Sequence, residues 1–545
     1  MINPSTQVAR DSPYEAELDF PCLVAGLRRP EAYPLGLVGA DGMIEHLETH
    51  ISHVFLAGDR AYKLKKPVNL GFLDFSTTER RHDFCQEELR LNRRLAPELY
   101  LGLVAVTGTP EKPQLGGTGP VLEYMVEMRR FDQRDRLDHC ILTPDLVDRL
   151  AARLATFHDS LPPAVVDSPY GTPAAVLAPM LENFRQIRVR SLGTECQAGL
   201  DRLEDWTRAR WQALTPVIEQ RRAAGRVREC HGDLHRGNIA LIKGEPLFFD
   251  ALEFAPQLRW IDTASELAFL LMDLEEAGEG PLARRLLNAY LGQCGDYGAL
   301  QVLDLYQVYR ALVRAKVLAI RLGQGELMAE EDAADHQACA GYLALAASYT
   351  RRCERRPRLL LTRGLSGSGK SWLASQLREA LPLIHLRSDI ERKRLFGFAP
   401  EERTGSPTDG GIYTPDAGAR TYARLRELAA MILGCGYDVL VDATFLRRDQ
   451  RCEFNALAAA RGAGFALLVM EAPVAVLRER VASRQAAGAD ASEAGLAVLE
   501  RQLRSQEALE AEEMPQALII DATAPPPLEE LMAAVAGLTG VGLDD

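Results

Sequence analysis

Apolar and polar residues follow two periods along this chain, and their order divides it. The first ~45 residues are rich in Pro and Gly and keep neither period. HVFLAG, a turn at Gly58-Asp59-Arg60 and AYKLKKPV then predict two antiparallel strands. Residues 78–96 (TERRHDFCQEELRLNRRLA) predict a charged amphipathic helix ended by Pro97. Residues 99–128 alternate apolar and turn positions and close on VLEYMVEM, a buried strand pattern. Apolar residues recur every three to four positions over 143–224 and 262–350, which predicts helices. Between these stretches, 227–254 returns to short strands around HGDLHRGN.

A basic run from Arg351 to Arg358 breaks the pattern. Beyond it, strand and helix alternate through LLLTRG, PLIHLRSD, YDVLVDAT, FALLVMEA and QALIIDAT, as a parallel sheet with helices on both faces requires. The expected architecture is therefore two domains. An α+β domain of a small strand-rich lobe and a large helical lobe covers 1–346, with its core at about 45–345. A linker at 347–357 leads to an α/β domain at 358–545. The two halves carry different motifs, so the chain is not a duplication.

Composition narrows the function classes. The chain has 545 residues, 47% of them apolar, and a net charge of −13. No run of 18 apolar residues predicts a membrane span, and the polar, acidic start MINPSTQVARDSPYEAELDF lacks the order of a secretory signal. The acidic balance argues against a broad nucleic-acid or membrane surface. Ten cysteines form no C-x-x-C pair, so zinc knuckles are excluded, and reduced, mostly buried thiols in a cytoplasmic protein are expected.

Two motifs carry chemistry. Residues 364–371 read GLSGSGKS, the G-x-x-x-x-G-K-[ST] pattern, between a predicted strand and a predicted helix. Gly364, Gly367 and Gly369, with Ser366 and Ser368 between them, let the backbone wind around phosphates with its N–H groups inward. Lys370 then reaches the β- and γ-phosphates and Ser371 ligates Mg²⁺. Asp389, in RSDIERKRLFG, follows the second strand of this half, where a carboxylate faces the switch-point crevice and accepts a hydroxyl proton; Arg392 lies one helical turn on. Asp442 ends the strand YDVLVDATFL and suits a Mg²⁺ carboxylate, with Thr444 and Arg451 expected near the acceptor. Arg480 and Arg484, four apart in RERVASR, share a helix face.

These residues resemble the P-loop kinase group that includes zeta toxins, polynucleotide 5′-kinases and gluconate kinases, an AAA-type ATP-binding fold, over about 358–540. The resemblance implies ATP-dependent phosphorylation of a hydroxyl, with Arg480 and Arg484 on a lid that neutralises the transferring phosphate. It does not fix the acceptor.

The second motif is HGDLHRGN at 231–238, followed by Asp250 in LFFDALEF. Its spacing matches the order of the protein-kinase catalytic loop, H-R-D-x-x-x-x-N and then a metal-binding Asp on the next strand. H-G-D-x-H-x-x-N is similar to aminoglycoside phosphotransferases and choline kinases. That resemblance covers about 45–345 and implies a bilobal protein-kinase-like fold in which Asp233 is the catalytic base and Asn238 and Asp250 hold metal. It also implies a strand lysine and a helix glutamate. Lys63 and Lys65 fall on one strand face; Lys65 is favoured, with Lys63 open. Glu88 is chosen over Glu87 because it shares the inward stripe with Leu91. Glu127 and Met128 are expected to meet adenine through backbone atoms. No G-x-G-x-x-G precedes the lysine; Ser52 and backbone N–H groups in ETHISHVF stand in its place.

The combined expectation is an ATP- and Mg²⁺-dependent bifunctional kinase acting on the hydroxyl of small molecules such as sugars, amino alcohols or nucleotide-like compounds. The rivals are a nucleotide-binding regulator with one catalytic domain and a polynucleotide 5′-hydroxyl kinase. Sequence alone names neither acceptor, oligomeric state nor coupling between the domains.

Overall fold

A computed structural model describes residues 18–38, 42–69, 73–189, 194–322, 329–406, 410–487 and 495–542. Most of the polar N-terminal stretch lies outside the described residues. Two compact units emerge: residues 1–140 with 231–233 and 237–259, and residues 141–230 with 234–236 and 260–545.

The first unit is built on a six-stranded antiparallel sheet. Its strands are β1 (Glu45–Glu48), β2 (Ser52–Ala57), β3 (Arg60–Lys65), β4 (Tyr100–Thr109), β5 (Lys112–Leu115) and β6 (Val121–Arg129), in the order β1-β2-β3-β6-β4-β5. Strand alternation sends Tyr62 and Leu64 to one face, where they pack with Phe55, Val106, Met125 and Leu23 of the helix Phe20–Leu27. Lys63 and Lys65 therefore face the other way. The helix Thr78–Asn92 lays Cys85 and Leu89 against Tyr100 and Val126.

That helix ends at Asn92, before the expected residue 96, and the Asn92 side chain ties it to a distant segment. Its amide donates to the Glu88 carbonyl and accepts from the Ala251 N–H (2.8 and 2.9 Å). Glu127 and Met128 both stand inside the ladder, flanked by β3 and β4.

The second unit begins with helices. Pro144–Ser160 and Pro173–Arg188 each start on a Thr side-chain cap with Pro in the first turn. Thr194–Ala223, Thr263–Glu276, Gly280–Cys294, Leu303–Leu322 and Ala329–Thr350 follow. Phe184, Leu200, Met272, Leu312 and Tyr349 are among their common core. The short strands β7 (Val227–Glu229) and β10 (Trp260–Asp262) pair within this unit, whereas β8 (Ile239–Ile242) and β9 (Glu245–Phe248) form a hairpin in the first.

The same unit holds a parallel sheet of β11 (Arg358–Arg363), β12 (Leu383–Arg387), β13 (Asp438–Asp442), β14 (Gly464–Glu471) and β15 (Ala517–Asp521). Their order is β12-β13-β11-β14-β15. Every residue of β11 and β13 is buried, as a strand covered on both faces must be. The order reverses at β11, so its carboxyl end opens onto a switch-point crevice.

The stretch expected as a linker is fastened. The helix Ala329–Thr350 runs into it, and Arg352 donates to the Gln307 side chain and to the Tyr437 hydroxyl (2.9 and 2.7 Å). Among the described cysteines none forms a disulfide; four are buried, four are half-buried and Cys452 is exposed, fewer buried than expected.

Candidate active sites

The first site is a knot of charges on the open face of β3. Lys63 Nζ donates to Glu88 Oε1 (2.9 Å) and to Asp250 Oδ1 (2.6 Å). Lys65 Nζ donates to Glu88 Oε2 (2.7 Å) and to Glu253. Burial alone would raise the Glu88 carboxyl, but the two ammonium groups outweigh it and hold it down at about 2. Burial pulls both lysines down, and their carboxylate partners push them above the ordinary range. Glu253, enclosed beside Glu88, is raised by burial.

The two lysines differ in access. Lys65 has no exposed side-chain surface and sits under the Phe75 ring, while Lys63 keeps 12% and is the one that touches Asp250. Asp250 itself is 45% exposed in its side chain. Its backbone stands at φ 62°, a left-handed conformation uncommon for a non-glycine residue. Hydrogen bonds from its own N–H to Tyr100 Oη (3.0 Å) and from Ala251 N–H to Asn92 hold it there.

The HGDLHRGN loop is tied to the same segment. His231 bonds the Phe249 carbonyl through Nε2 (2.8 Å), and Leu252 N–H donates to the His231 carbonyl (3.0 Å). Asn238 Nδ2 donates to the Asp233 carbonyl (2.9 Å) and carboxylate (3.2 Å). Both nitrogens of His231 are thus engaged in stiffening the loop. Between β1 and β2, Thr49 and Ser52 close a tight turn, and the Ser52 hydroxyl is buried without a hydrogen-bond partner among the described residues.

The second site is a cavity of about 1,020 Å³ at the carboxyl ends of the parallel strands. Gly367 and Gly369 stand at φ 85° and 86°, and a Cβ on Gly367 would meet the Leu477 carbonyl at 2.9 Å. Only glycine takes that path at no steric cost. Lys370 opens the helix Lys370–Ala380 and donates to the Leu365 carbonyl (2.9 Å); burial lowers its ammonium. Ser371 Oγ donates to Asp442 Oδ2 (2.7 Å). Burial would raise the Asp442 carboxyl, but His385, Lys370 and Ser371 bring it down to about 2. Ser366 lines the cavity, and its N–H donates to the side chain of Gln502 (2.8 Å). Gly364 and Ser368 lie in the loop behind it; Ser368 is buried.

Asp389 lies in the first turn of the helix Ser388–Leu395 and lines the cavity, 29% exposed. Arg392 is 4.0 Å from it and stacks on the Tyr413 ring. Thr444, Arg480 and Arg484 also line the cavity, although Arg480 donates to the Ala522 carbonyl (3.0 Å). Arg451 does not belong to the acceptor pocket. It is 2% exposed and grips Glu513 (2.6 and 2.9 Å) and the Phe445 carbonyl, holding the fold behind the site.

Glu253, Asn92, Tyr100 and Gln502 went unpredicted. Glu253 alone left a trace, as the acidic residue three after Asp250. Each donor set suits a hard divalent cation: Asp250 and Asn238 offer oxygens in the first site, and the Ser371 hydroxyl and ionised Asp442 in the second. No described helix is long and apolar enough to cross a membrane.

Comparison with known proteins matches two different families along the chain. Residues 59–303 match the phosphotransferase enzyme family, and residues 359–509 match an AAA domain family. An uncharacterized protein of Mycobacterium tuberculosis is 32% identical over 468 residues, covering 85% of this chain and 90% of that protein, and one of Mycobacterium bovis matches equally. Among solved structures, an amicoumacin kinase in complex with AMP-PNP, Ca²⁺ and Ami is 14% identical (TM-score 0.38) and covers 61% of this chain and 94% of its own. A gluconokinase of Sinorhizobium meliloti is 23% identical (TM-score 0.25) and covers 34% and 95%.

Proposed function

Since the chain belongs to the family of these mycobacterial proteins, and is a kinase joining a phosphotransferase-family domain to an AAA-family P-loop domain, we propose that both domains transfer the γ-phosphate of ATP to hydroxyl groups of small molecules with Mg²⁺. We take the two domains as 1–346 and 358–545, joined through 347–357. The observation that carries the reading is that each site keeps a complete set of groups: Lys63–Glu88–Asp250 with Asp233–Asn238 in one, and Lys370–Ser371–Asp442 with Asp389 in the other.

In the first site Asp233 accepts the proton of the acceptor hydroxyl, its carboxylate aimed by the Asn238 amide. The nucleotide lysine is Lys63 rather than the favoured Lys65, because Lys65 is sealed between Glu88 and Glu253 and has no surface to offer. Glu88 orients both. In the second site the loop amides and Lys370 cradle phosphates, Asp389 takes the hydroxyl proton, and Arg484 neutralises the moving charge. Mg²⁺, where bound, would supply positive charge to offset that of the phosphates. Asp250 and Asn238 would hold it in the first site, and Ser371 and Asp442 in the second.

The test is to incubate the full chain with ATP, Mg²⁺ and a panel of sugars, sugar acids, amino alcohols, aminoglycosides, nucleosides and 5′-hydroxyl oligonucleotides, following ADP and acceptor mass. A gain of one phosphate on a small molecule, lost by about 10²–10⁴-fold in Asp233→Ala or in Asp389→Ala but not in both, assigns it to a domain. Tight ATP binding with no phosphorylated acceptor overturns the bifunctional reading.

A further inference from the structure

The helical lobe that precedes the P-loop domain touches that domain at two elements of its active site. Asn288, on the helix Gly280–Cys294, is 6% exposed. Its Oδ1 accepts from the His385 N–H (2.8 Å), and its Nδ2 donates to the Leu383 carbonyl (2.9 Å). β12 is an edge strand of the parallel sheet, and an edge presents unpaired backbone groups. One amide side chain therefore satisfies both a donor and an acceptor of that edge, as a further strand would. One turn earlier, Arg284 donates to the Glu379 carbonyl (2.8 Å), at the carboxyl end of the helix that Lys370 begins.

The strand so pinned carries a side chain into the metal-binding pair. His385 Nε2 lies 3.4 Å from Asp442 Oδ2, the same oxygen that accepts from Ser371 (2.7 Å). Groups behind a metal carboxylate fix its orientation, and losing one typically costs about 10–100-fold in metal affinity.

We propose that the helical lobe of the first domain completes the P-loop site of the second: Asn288 is a positioning residue that sets β12, and through His385 the Asp442 carboxylate, for metal-nucleotide binding. The proposal rests on the reading of Ser371 and Asp442 as the metal-binding pair. It gives the fusion of the two domains a physical purpose, since a P-loop domain cut from the helical lobe would lose the Asn288 amide from its edge strand and the Arg284 bond to the helix that Lys370 begins.

The experiment uses the full chain and a fluorescent ADP, titrated with and without Mn²⁺. Binding removed by Lys370→Ala is the share of the P-loop site. Asn288→Ala is expected to leave metal-free binding within twofold and to cut the Mn²⁺-dependent gain about tenfold. His385→Phe, which keeps the backbone docking and removes the ring nitrogen, should cut it at least as far, and the double variant no further, because both changes act through one path. A merely structural role would weaken binding with and without metal alike. If Asn288→Ala does not fold, Asn288→Asp, which keeps the acceptor and loses the donor, is read the same way. An unchanged Mn²⁺ gain in the Asn288 variant, or in His385→Phe, overturns the proposal. No Lys370-dependent binding at all overturns the P-loop reading first, and is recognised in the parent protein.

Discussion

The two candidate sites handle charge in opposite ways. The first keeps its cations among carboxylates: Lys63 and Lys65 are ion-paired with Glu88, Asp250 and Glu253 before any nucleotide arrives. The second leaves room: Lys370, which meets no carboxylate at ion-pair distance among the described residues, rests on a backbone carbonyl, and Arg484 lines a cavity of about 1,020 Å³. A site of the first kind contributes to the stability of its own fold. A site of the second kind spends stability on readiness for an anion.

The largest expected effect is on folding. Glu88→Ala leaves two buried ammonium groups short of a partner, and breaking such a pair costs about 3–5 kcal/mol. Lys370→Ala removes a desolvated charge and should leave thermal stability unchanged or raised while abolishing nucleotide binding at the P-loop. Calorimetry on both variants checks this. A Glu88→Ala protein as stable as the parent would break the contrast.

The next effect separates the two lysines. Lys63→Ala should lose first-domain nucleotide binding by at least about tenfold, while Lys65→Ala acts mainly on stability because its ammonium sits wholly within the protein. Titration of each variant with fluorescent ADP, alongside its melting temperature, distinguishes them. The reverse pattern would return the nucleotide role to Lys65.

These contrasts also mark what the sequence could disclose. The order of strands and helices was legible because buried parallel strands read as short apolar runs, such as LLL at 359–361 and VLV at 439–441, and because GLSGSGKS sits where a strand becomes a helix. Period-two alternation put Lys63 and Lys65 on one face, yet could not say which meets nucleotide. That depends on partners nearly two hundred residues away: buried Glu253 meets Lys65, whereas partly exposed Asp250 meets Lys63. Arg451 misled for the same reason: its partner Glu513 is 62 residues on, and only the fold brings them together. Asn288 left no signal, since a single amide on an amphipathic helix reads as an ordinary polar position until an edge strand lies against it.

The smallest effect is in alkaline titration, where the two sites should respond with opposite signs. Lys63 and Lys65 are raised in the folded state by their carboxylates. Their stability is fully present below the unfolded value of about 10.4 and is lost as pH climbs through the higher folded values. Lys370 is lowered by burial. The unfolded chain then binds more protons at this position, so stability rises with pH between the depressed folded value and about 10.4. Tyrosines titrate in the same range, so the measurement is a difference. Melting temperatures of the parent and of Lys370→Ala, followed from pH 8 upward, should draw together as pH rises, because the desolvated charge that separates them is discharged. The gap between the parent and Lys65→Ala should hold until well above pH 10. A gap to Lys370→Ala that does not narrow would mean that the P-loop lysine is already compensated, and that the two sites treat charge alike.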